Sequence, residues 1–166
     1  MKKIVITGGL GYIGMELSKI YSGKANHYDI TVIDNSFFSE RVSQLNRWGI
    51  KFQQVDITDK KSLKKILIDT DIIHHLAGIT DVGATAQDKD IQRDKRIRNV
   101  GVNGTRNIIE LSPDDCKIIF PSTHVIYEGL QKVKLNISET LNPKPVLEYS
   151  KGKYQSENDL IKSNKT

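Results

Sequence analysis

The sequence predicts one α/β domain over residues 1–166, with a doubly wound parallel sheet covered by helices on both faces. Short apolar segments of strand length alternate along the chain with segments of helical periodicity. The first apolar segment ends in a cluster of glycines, and polar residues follow the later ones. Right-handed crossovers place all these ends at one edge of the sheet, where such folds bind their ligands.

The composition is typical of a globular domain and excludes several other classes. Hydrophobic residues make up 37% of the chain and charged residues 27%, which argues against disorder. No apolar run approaches the roughly 20 residues of a membrane span, and from the first residues we expect no secretory signal. The single cysteine excludes an internal disulfide, so we expect a cytoplasmic protein. The net charge of +5 comes from scattered lysines, so we expect neither a nucleic-acid nor a membrane partner.

The amino-terminal half alternates three predicted strands with three predicted helices. The strands are short apolar runs at residues 3–7, 29–33 and 51–55. The first helix covers residues 12–22, with an apolar face of Ile13, Leu17, Ile20 and Tyr21. The second covers residues 39–48, with Val42, Leu45 and Trp48 on one face. Thr58 or Asp59 caps the third, which runs to Ile68 with Leu63, Ile66 and Leu67 inward.

The carboxyl-terminal half continues the alternation with longer connections. Strands are predicted at residues 71–76 and 117–120, separated by a polar stretch at 81–94 and a helix that ends at residue 110. Residues 128–146 form a predicted loop with two prolines, and a last helix covers residues 147–161.

Glycines between the first strand and the first helix predict a site for a dinucleotide diphosphate. Gly9, Gly11 and Gly14 form a Gly-x-Gly-x-x-Gly pattern, to which Gly8 adds a fourth glycine. The first glycine permits a tight turn, the second lets backbone approach the phosphates, and the third lets the helix pack closely. The free N–H groups of the helix then face the diphosphate. A purely structural glycine turn is the alternative.

The second strand ends at an acid that predicts the identity of the dinucleotide. Asp34 lies about 20 residues beyond the last glycine, where a carboxylate accepts hydrogen bonds from the adenosine ribose. The same carboxylate repels the 2′-phosphate of NADP, and the nearest arginine is Arg41. We therefore expect NAD as the cofactor, against the alternative of a solvated turn aspartate.

A tyrosine and a lysine one helical turn apart predict an acid–base group. Tyr149 and Lys153 share one face of the last helix. An ordinary tyrosine keeps its proton at neutral pH, but a nearby ammonium group and an oxidised nicotinamide ring both stabilise the phenolate. Tyr149 then takes a hydroxyl proton while hydride moves to NAD. Ser122 and Thr123, at the end of the fifth strand, supply hydroxyls. The alternative is a pair on the helix surface.

These motifs stand in the order of a known family. They are residues 7–14 (TGGLGYIG), 32–35 (VIDN), 55–59 (VDITD), 75–78 (HLAG), 103–110 (NGTRNIIE), 122–127 (STHVIY) and the Tyr-x-x-x-Lys pair. Together they resemble the extended short-chain dehydrogenase/reductase family, which has a Rossmann fold, in its NAD-dependent epimerase/dehydratase branch. The local likeness is to UDP-glucose 4-epimerases and their relatives.

The resemblance implies an oxidoreductase-type isomerase that acts on nucleotide sugars. It implies Thr123, Tyr149 and Lys153 as catalytic residues. It also implies a cofactor site of Gly8, Gly11, Tyr12, Ile13, Gly14, Asp34, Asn35, Asp56, Ile57, Leu76, Ala77, Gly78, Tyr149 and Lys153. Relatives dimerise through helices that match residues 95–110 and 147–162, so a homodimer is expected by analogy.

Three departures from the family pattern bear on the activity. His124 and Val125 replace an Asp-Glu pair of the dehydratases, which ranks dehydratase below epimerase. Gly101 replaces an asparagine. The chain ends soon after the Tyr149 helix, where relatives continue into a substrate lobe. We therefore expect that lobe to be absent, residues 117–120 to form a bare sheet edge, and the chain to bind NAD yet turn over poorly.

Other readings are a keto-sugar reductase or dehydrogenase and a non-catalytic dinucleotide-binding fragment. Bound NAD that does not exchange favours an epimerase over a reductase. A metal site is not expected, because the adjacent His74 and His75 point to opposite faces of a strand.

Overall fold

The centre of the fold is a five-stranded parallel sheet with the strand order β3-β2-β1-β4-β5. The structure is a computed structural model that describes residues 1–24, 26–80, 90–131 and 136–166. The strands are β1 (Lys2–Thr7), β2 (Tyr28–Asp34), β3 (Lys51–Gln54), β4 (Ile72–His75) and β5 (Lys117–Ile119). In the centre, Ile4 of β1 pairs with Ile30 of β2 and Ile72 of β4. The predicted doubly wound α/β fold is confirmed.

Helices cover both faces of the sheet because strand side chains alternate between them. The helices are α1 (Tyr12–Ser22), α2 (Ser39–Arg47), α3 (Lys60–Leu67), α4 (Ile91–Arg98), α5 (Thr105–Leu111) and α6 (Glu148–Ser163). Helices α1 and α2 pack on the core around Ile4, Ile6 and Val32. Helices α3, α5 and α6 pack on the core around Val5 and Ile73. Among the described residues, no helix is both long enough and apolar enough to cross a membrane.

The inward face of α1 differs from the expected one. Ile13 and Ile20 are exposed by 64% and 63%, whereas Gly14 and Ser18 are buried. Ser18 Oγ donates to the Gly14 carbonyl at 2.7 Å, which satisfies its hydroxyl inside the contact. The helix lies so close to the glycine turn that only small residues fit between them. Ile13 and Ile20 therefore face outward, whereas Leu17 and Tyr21 of the predicted face pack against the core.

The helix before β5 starts earlier than expected and is interrupted by a π-helical turn. The polar stretch was predicted to reach residue 94, but α4 begins at Ile91, and Asp90 caps it by accepting the N–H groups of Gln92 and Arg93 at 3.0 Å. A π-helical turn (Asn99–Gly104) then joins α4 to α5. Residues 81–89 of the polar stretch lie outside the described residues.

The segments around β5 and α6 also hold more structure than expected. A 3₁₀ helix (His124–Tyr127) follows β5, ahead of the predicted loop. The expectation of a bare edge at β5 is wrong at Ile118, whose N–H donates to the Lys165 carbonyl at 2.6 Å. The Lys165 ammonium group donates to the carbonyls of Ile109 and Ser112, both at 2.9 Å. This lysine therefore fastens the chain after α6 to the end of α5.

Candidate functional site

A cleft of about 470 Å³ opens at the carboxyl ends of the strands. Its size is that of a small-molecule or cofactor site. It is lined by Gly8, Gly11, Tyr12, Ile13, Gly14, Asp34, Asn35, Val55, Asp56, Ile57, Leu76, Ala77, Gly78, Ile79, Thr80, Val100, Pro121, Ser122, Tyr149 and Lys153. Every residue expected at the cofactor site is among them, and Thr123 is not. Val55, Ile79, Thr80, Val100 and Pro121 were not expected. Val55 and Ile79 lie next to expected residues in the chain.

The tight turn after β1 lies at Gly8, which corrects the role given to Gly9. Gly8 has a φ of +63°, and a Cβ there would lie 2.7 Å from Ala77 Cα. Both the left-handed backbone and the contact with the end of β4 therefore require glycine. Gly9 instead packs against β2, where a Cβ would lie 2.5 Å from Val32 Cγ1.

The other two glycines bring the start of α1 to the cleft. A Cβ at Gly14 would lie 2.4 Å from Gly9 Cα, so the helix rests directly on the turn. Gly11 is the N-cap and has no side chain with which to cap the helix. The first N–H groups of α1 are consequently left for a ligand, and the side chain of Tyr12 is 86% exposed.

Two charged side chains bind the backbone N–H and carbonyl groups of Leu10 in this turn. Asp34 Oδ2 accepts the Leu10 N–H at 3.1 Å, and Asp34 Oδ1 accepts the Ser36 N–H at 3.0 Å. Arg41 donates to the Leu10 carbonyl and lies 5.4 Å from the centre of the Tyr12 ring. Asp34 therefore shapes the glycine turn, besides facing the cleft at the position expected for a ribose.

Asp56 stands beside Asn35 at the β2–β3 side of the cleft. Its Oδ1 accepts the N–H and the hydroxyl of Thr58 at 2.8 and 2.7 Å, and Asn35 Nδ2 donates to Oδ2 at 3.4 Å. Partial burial raises the pKa of Asp56, but the hydrogen bonds outweigh it and hold the pKa below its ordinary value. The neighbouring Ile57 carbonyl accepts a hydrogen bond from Asn107 of α5 at 3.0 Å, which anchors this wall.

The tyrosine–lysine pair lies at the opposite side of the cleft. Both side chains line it from the first two turns of α6. The Lys153 ammonium group donates to the Pro121 carbonyl at 2.9 Å and lies 4.2 Å from the centre of the Phe120 ring. Burial lowers the pKa of Lys153 to about 8. The amine therefore titrates close to neutral pH, beside a tyrosine that faces the same space.

The expected hydroxyl of Thr123 is committed to local structure. Its Oγ1 accepts the Val125 N–H at 3.2 Å and so caps the 3₁₀ helix. The neighbouring Ser122 lines the cleft instead, and its Oγ donates to Glu157 Oε2 at 3.2 Å. The structure thus brings Tyr149, Lys153 and Ser122 together, with Thr123 one residue further along the chain.

A buried histidine behind the cleft was noted in the sequence only as a poor metal ligand. His75 Nδ1 lies 2.8 Å from Thr7 Oγ1, and Nε2 lies 2.9 Å from Thr105 Oγ1. Thr105 donates its own proton to the Gly101 carbonyl, so it accepts from His75 Nε2–H. Burial lowers the pKa of His75 to about 3, so the ring is neutral. With the proton on Nε2, Nδ1 accepts from the Thr7 hydroxyl, which itself accepts the Ala77 N–H at 3.1 Å.

His74 points to the other face of the sheet, as expected from strand alternation. Its Nε2 lies 2.8 Å from the Tyr21 hydroxyl of α1, whereas His75 meets α5. In the described parts of the chain, no three histidine, cysteine, aspartate or glutamate side chains are grouped as metal ligands.

The fold and the site define a class: a dinucleotide-binding domain of the short-chain dehydrogenase/reductase type, which carries a glycine turn, an acid at the end of β2 and a Tyr-x-x-x-Lys pair. The particular family follows from comparison with known proteins. Residues 5–166 match the 3-beta hydroxysteroid dehydrogenase/isomerase family, and the chain belongs to it. This result confirms the resemblance to extended short-chain dehydrogenases and to enzymes of their epimerase/dehydratase branch.

Several relatives act on nucleotide sugars. The chain is 31% identical over 140 residues to UDP-glucose 4-epimerase 2 of Arabidopsis thaliana, covering 76% of this chain and 37% of the relative. It is 30% identical over 128 residues to UDP-N-acetyl-alpha-D-glucosaminuronate decarboxylase of Bacillus cytotoxicus, covering 76% and 38%. The UDP-glucuronic acid 4-epimerase of Bacillus cereus, solved with UDP-glucuronic acid and NAD, superposes with a TM-score of 0.78 at 26% identity, covering 99% and 52%. The chain thus spans about half the length of this structure and less of the curated relatives.

Proposed function

We propose that this chain is the cofactor-binding part of an NAD-dependent nucleotide-sugar epimerase similar to UDP-glucose 4-epimerase. One observation carries the proposal: the glycine turn, Asp34 and the Tyr149–Lys153 pair line one cleft. A diphosphate site alone would suit many nucleotide-binding proteins. An acid–base pair in the same cleft adds the proton transfer that accompanies hydride transfer between a substrate and a dinucleotide.

The residues of the cleft fit an extended NAD molecule. The uncapped start of α1 supplies N–H groups to the diphosphate, and Asp34 faces the place of the adenosine ribose. Asn35, Asp56 and Ile57 form the adenine end. Tyr149 and Lys153 lie at the nicotinamide end, where the ammonium group would hold the ribose hydroxyls.

The chemistry then divides between the cofactor and this chain. When bound, NAD would supply the hydride acceptor and donor for the sugar carbon. Tyr149 takes the proton of the sugar hydroxyl and gives it back, while the charge of Lys153 stabilises the phenolate. A hydroxyl next to the tyrosine orients the sugar oxygen. Thr123 is the predicted residue, and Ser122 is the hydroxyl that lines the cleft.

Calorimetric titration of the chain with NAD and NADP tests the cofactor. We expect binding of NAD and at least about tenfold weaker binding of NADP, because Asp34 opposes a 2′-phosphate. Asp34→Asn keeps a side chain of the same shape and is expected to narrow that difference. Absence of heat with both dinucleotides would overturn the proposal.

Turnover is tested on the protein encoded by the complete reading frame. It is incubated with UDP-glucose and other UDP-sugars in the presence of NAD, and the epimers are separated by chromatography. Tyr149→Phe is expected to keep NAD binding and lose at least about a hundredfold in rate, because only the proton transfer is removed. The 166-residue chain is predicted to bind NAD and to turn over poorly.

A second candidate is an NAD-dependent dehydrogenase or reductase of a carbonyl substrate. The family description, which names a hydroxysteroid dehydrogenase, favours it. The two candidates differ in the fate of the cofactor, because an epimerase keeps NAD bound through the cycle. Net appearance of free NADH with a substrate would mark a dehydrogenase. A homodimer through residues 95–110 and 147–162 and a cytoplasmic location also stay predictions.

A further inference from the structure

A carboxylate from a distant segment holds the residues that lead into α6. Leu147, at the N-cap, has no side chain that caps the helix. Glu128 Oε1 accepts the N–H groups of Val146 and Leu147, both at 2.7 Å, and the hydroxyl of Ser150. One oxygen thereby joins the two residues that precede α6 to its first turn, and its negative charge lies near the positive end of the helix.

Backbone contacts hold the same two segments together around this carboxylate. The Gly129 N–H donates to the Lys144 carbonyl, and the Lys144 N–H donates to the Ile126 carbonyl, both at 2.9 Å. A Cβ at Gly129 would lie 2.5 Å from the Lys144 carbonyl oxygen, so only glycine allows this approach. We call residues 126–129, residues 144–147 and Ser150 the Glu128 clasp.

The clasp joins the two segments that carry the expected acid–base residues. On one side, Ser122 and Thr123 lead into the 3₁₀ helix that ends just before Glu128. On the other, Tyr149 lies two residues beyond Leu147, and Lys153 follows one turn later. Partial burial raises the pKa of Glu128, but the bonds from Ser150 and the backbone outweigh it, so the group stays ionised at neutral pH. A fixed charge therefore sets the start of α6 against the end of β5.

We propose that Glu128 is a positioning residue, which holds Tyr149 and Lys153 against the nicotinamide half of the cofactor. The inference rests on the proposed function. It predicts a split effect, because Glu128 lies on the side of α6, whereas the glycine turn and Asp34 hold the adenosine half independently. Loss of the clasp should weaken contacts with the nicotinamide ring and its ribose and leave contacts with the ADP part unaffected.

The experiment compares NAD with ADP, which lacks both the nicotinamide ring and its ribose. Calorimetry on Glu128→Ala is expected to show a Kd for NAD raised about tenfold and a Kd for ADP changed by less than about twofold. Glu128→Gln keeps an oxygen for the backbone N–H groups but loses the charge. The Kd for NAD is therefore expected to rise only about threefold. Ser150→Ala removes a single hydrogen-bond donor to Glu128 and is also expected to raise the Kd for NAD.

Glu148→Gln is the matched control, because it removes a carboxylate from the first turn of α6, which also contains Ser150 of the clasp. Glu148 bonds Lys151 at 3.0 Å and takes no part in the clasp, so both dissociation constants should stay within about twofold. Equal weakening of NAD and ADP binding in Glu128→Ala would show a merely structural role and overturn the inference, as would no change in either. Should Glu128→Ala not fold, Glu128→Gln and Ser150→Ala decide in the same way. Failure of the wild-type chain to bind NAD would overturn the proposed function and, with it, this inference.

Discussion

At the scale of single residues, Lys153 shows how a site residue can oppose stability. Its side chain is half-buried beside Phe120, and burial lowers its pKa from 10.5 to about 8. Below pH 8 the folded chain carries the full cost of this buried charge. Between about pH 8 and 10.5 the unfolded chain binds more protons, so stability rises with pH. Removing the charge should therefore stabilise the fold most at neutral pH.

Lys153→Met tests this balance. At pH 7 we expect its melting temperature to exceed that of the wild type by a few degrees, and we expect the gap to narrow between pH 8 and 10. NAD affinity should fall about tenfold, because the ribose loses a charged donor. Thermal melts at several pH values and calorimetry give the two readouts. A difference in melting temperature that does not change with pH would contradict the lowered pKa of Lys153.

Cys116 is the opposite case, a residue whose burial makes it inert. Burial raises the pKa of its thiol to about 11, even though the charge of Lys165 acts to lower it. The thiolate that reacts with disulfide reagents is consequently scarce in the folded chain. We expect labelling by a disulfide reagent at pH 8 to be about a thousandfold slower in the native protein than in denaturant. Rapid native labelling would show that the edge of the sheet at β5 opens locally.

At the scale of elements, the β1–α1 turn depends on contacts that a single methyl group disrupts. Gly14→Ala places a Cβ 2.4 Å from Gly9 Cα, so helix and turn must separate. We expect a loss of about 3 kcal/mol of stability, together with weaker NAD binding. Urea unfolding measures the first effect and calorimetry the second.

Gly101→Ala is the matched control within another helical segment. A Cβ there meets nothing within 4 Å, so the added methyl group should only restrict the unfolded chain. We expect unfolding to cost about 0.5–1 kcal/mol more than in the wild type. If both substitutions destabilise equally, the close packing of α1 on the turn is not the cause.

Elements fixed by local pattern could be predicted from the sequence, and those fixed by distant contacts could not. The α1 helix was predicted over its observed residues, and the cap of α3 is one of the two candidates, Asp59, which accepts the N–H groups of Lys61 and Ser62. The π-helical turn (Asn99–Gly104) and the clasp at Glu128 were not predicted. Each depends on partners many residues away, which periodicity does not reveal.

The same division holds within the candidate site. The glycine pattern, Asp34 and the Tyr149–Lys153 pair are local signals placed at strand ends, and the parallel sheet brings them to one cleft. The role of Gly8 depends on how closely β4 approaches β1, which no spacing encodes. Thr123 was predicted as a site hydroxyl, yet the 3₁₀ helix that it caps was invisible in the sequence. Motif type is therefore predictable, whereas the orientation of a short side chain is not.

At the scale of the whole molecule, a chain of buried hydrogen bonds ties the sheet to the helices behind the cleft. It runs from the Ala77 N–H through Thr7, His75 and Thr105 to the Gly101 carbonyl. The same carbonyl accepts a hydrogen bond from Ser156 of α6 at 2.9 Å. Strands β1 and β4, the π-helical turn and α6 are thereby linked, so a proton added to His75 must disturb all of them.

This linkage predicts how the protein responds to acid. The pKa of His75 is lowered to about 3, so between pH 6.5 and 3 the unfolded chain binds a proton that the folded chain does not. Stability must then fall with falling pH, by about 1.4 kcal/mol per unit for this residue. His75→Gln stays neutral, and its amide can still donate to Thr105. Urea unfolding between pH 6 and 4 gives the slope of the unfolding free energy against pH. We expect this slope to be shallower by one proton in His75→Gln than in the wild type. His74 is present in both proteins, so its contribution cancels. Parallel slopes would mean that His75 accepts its proton without unfolding the chain, and the buried hydrogen-bond chain would then not be what limits acid stability.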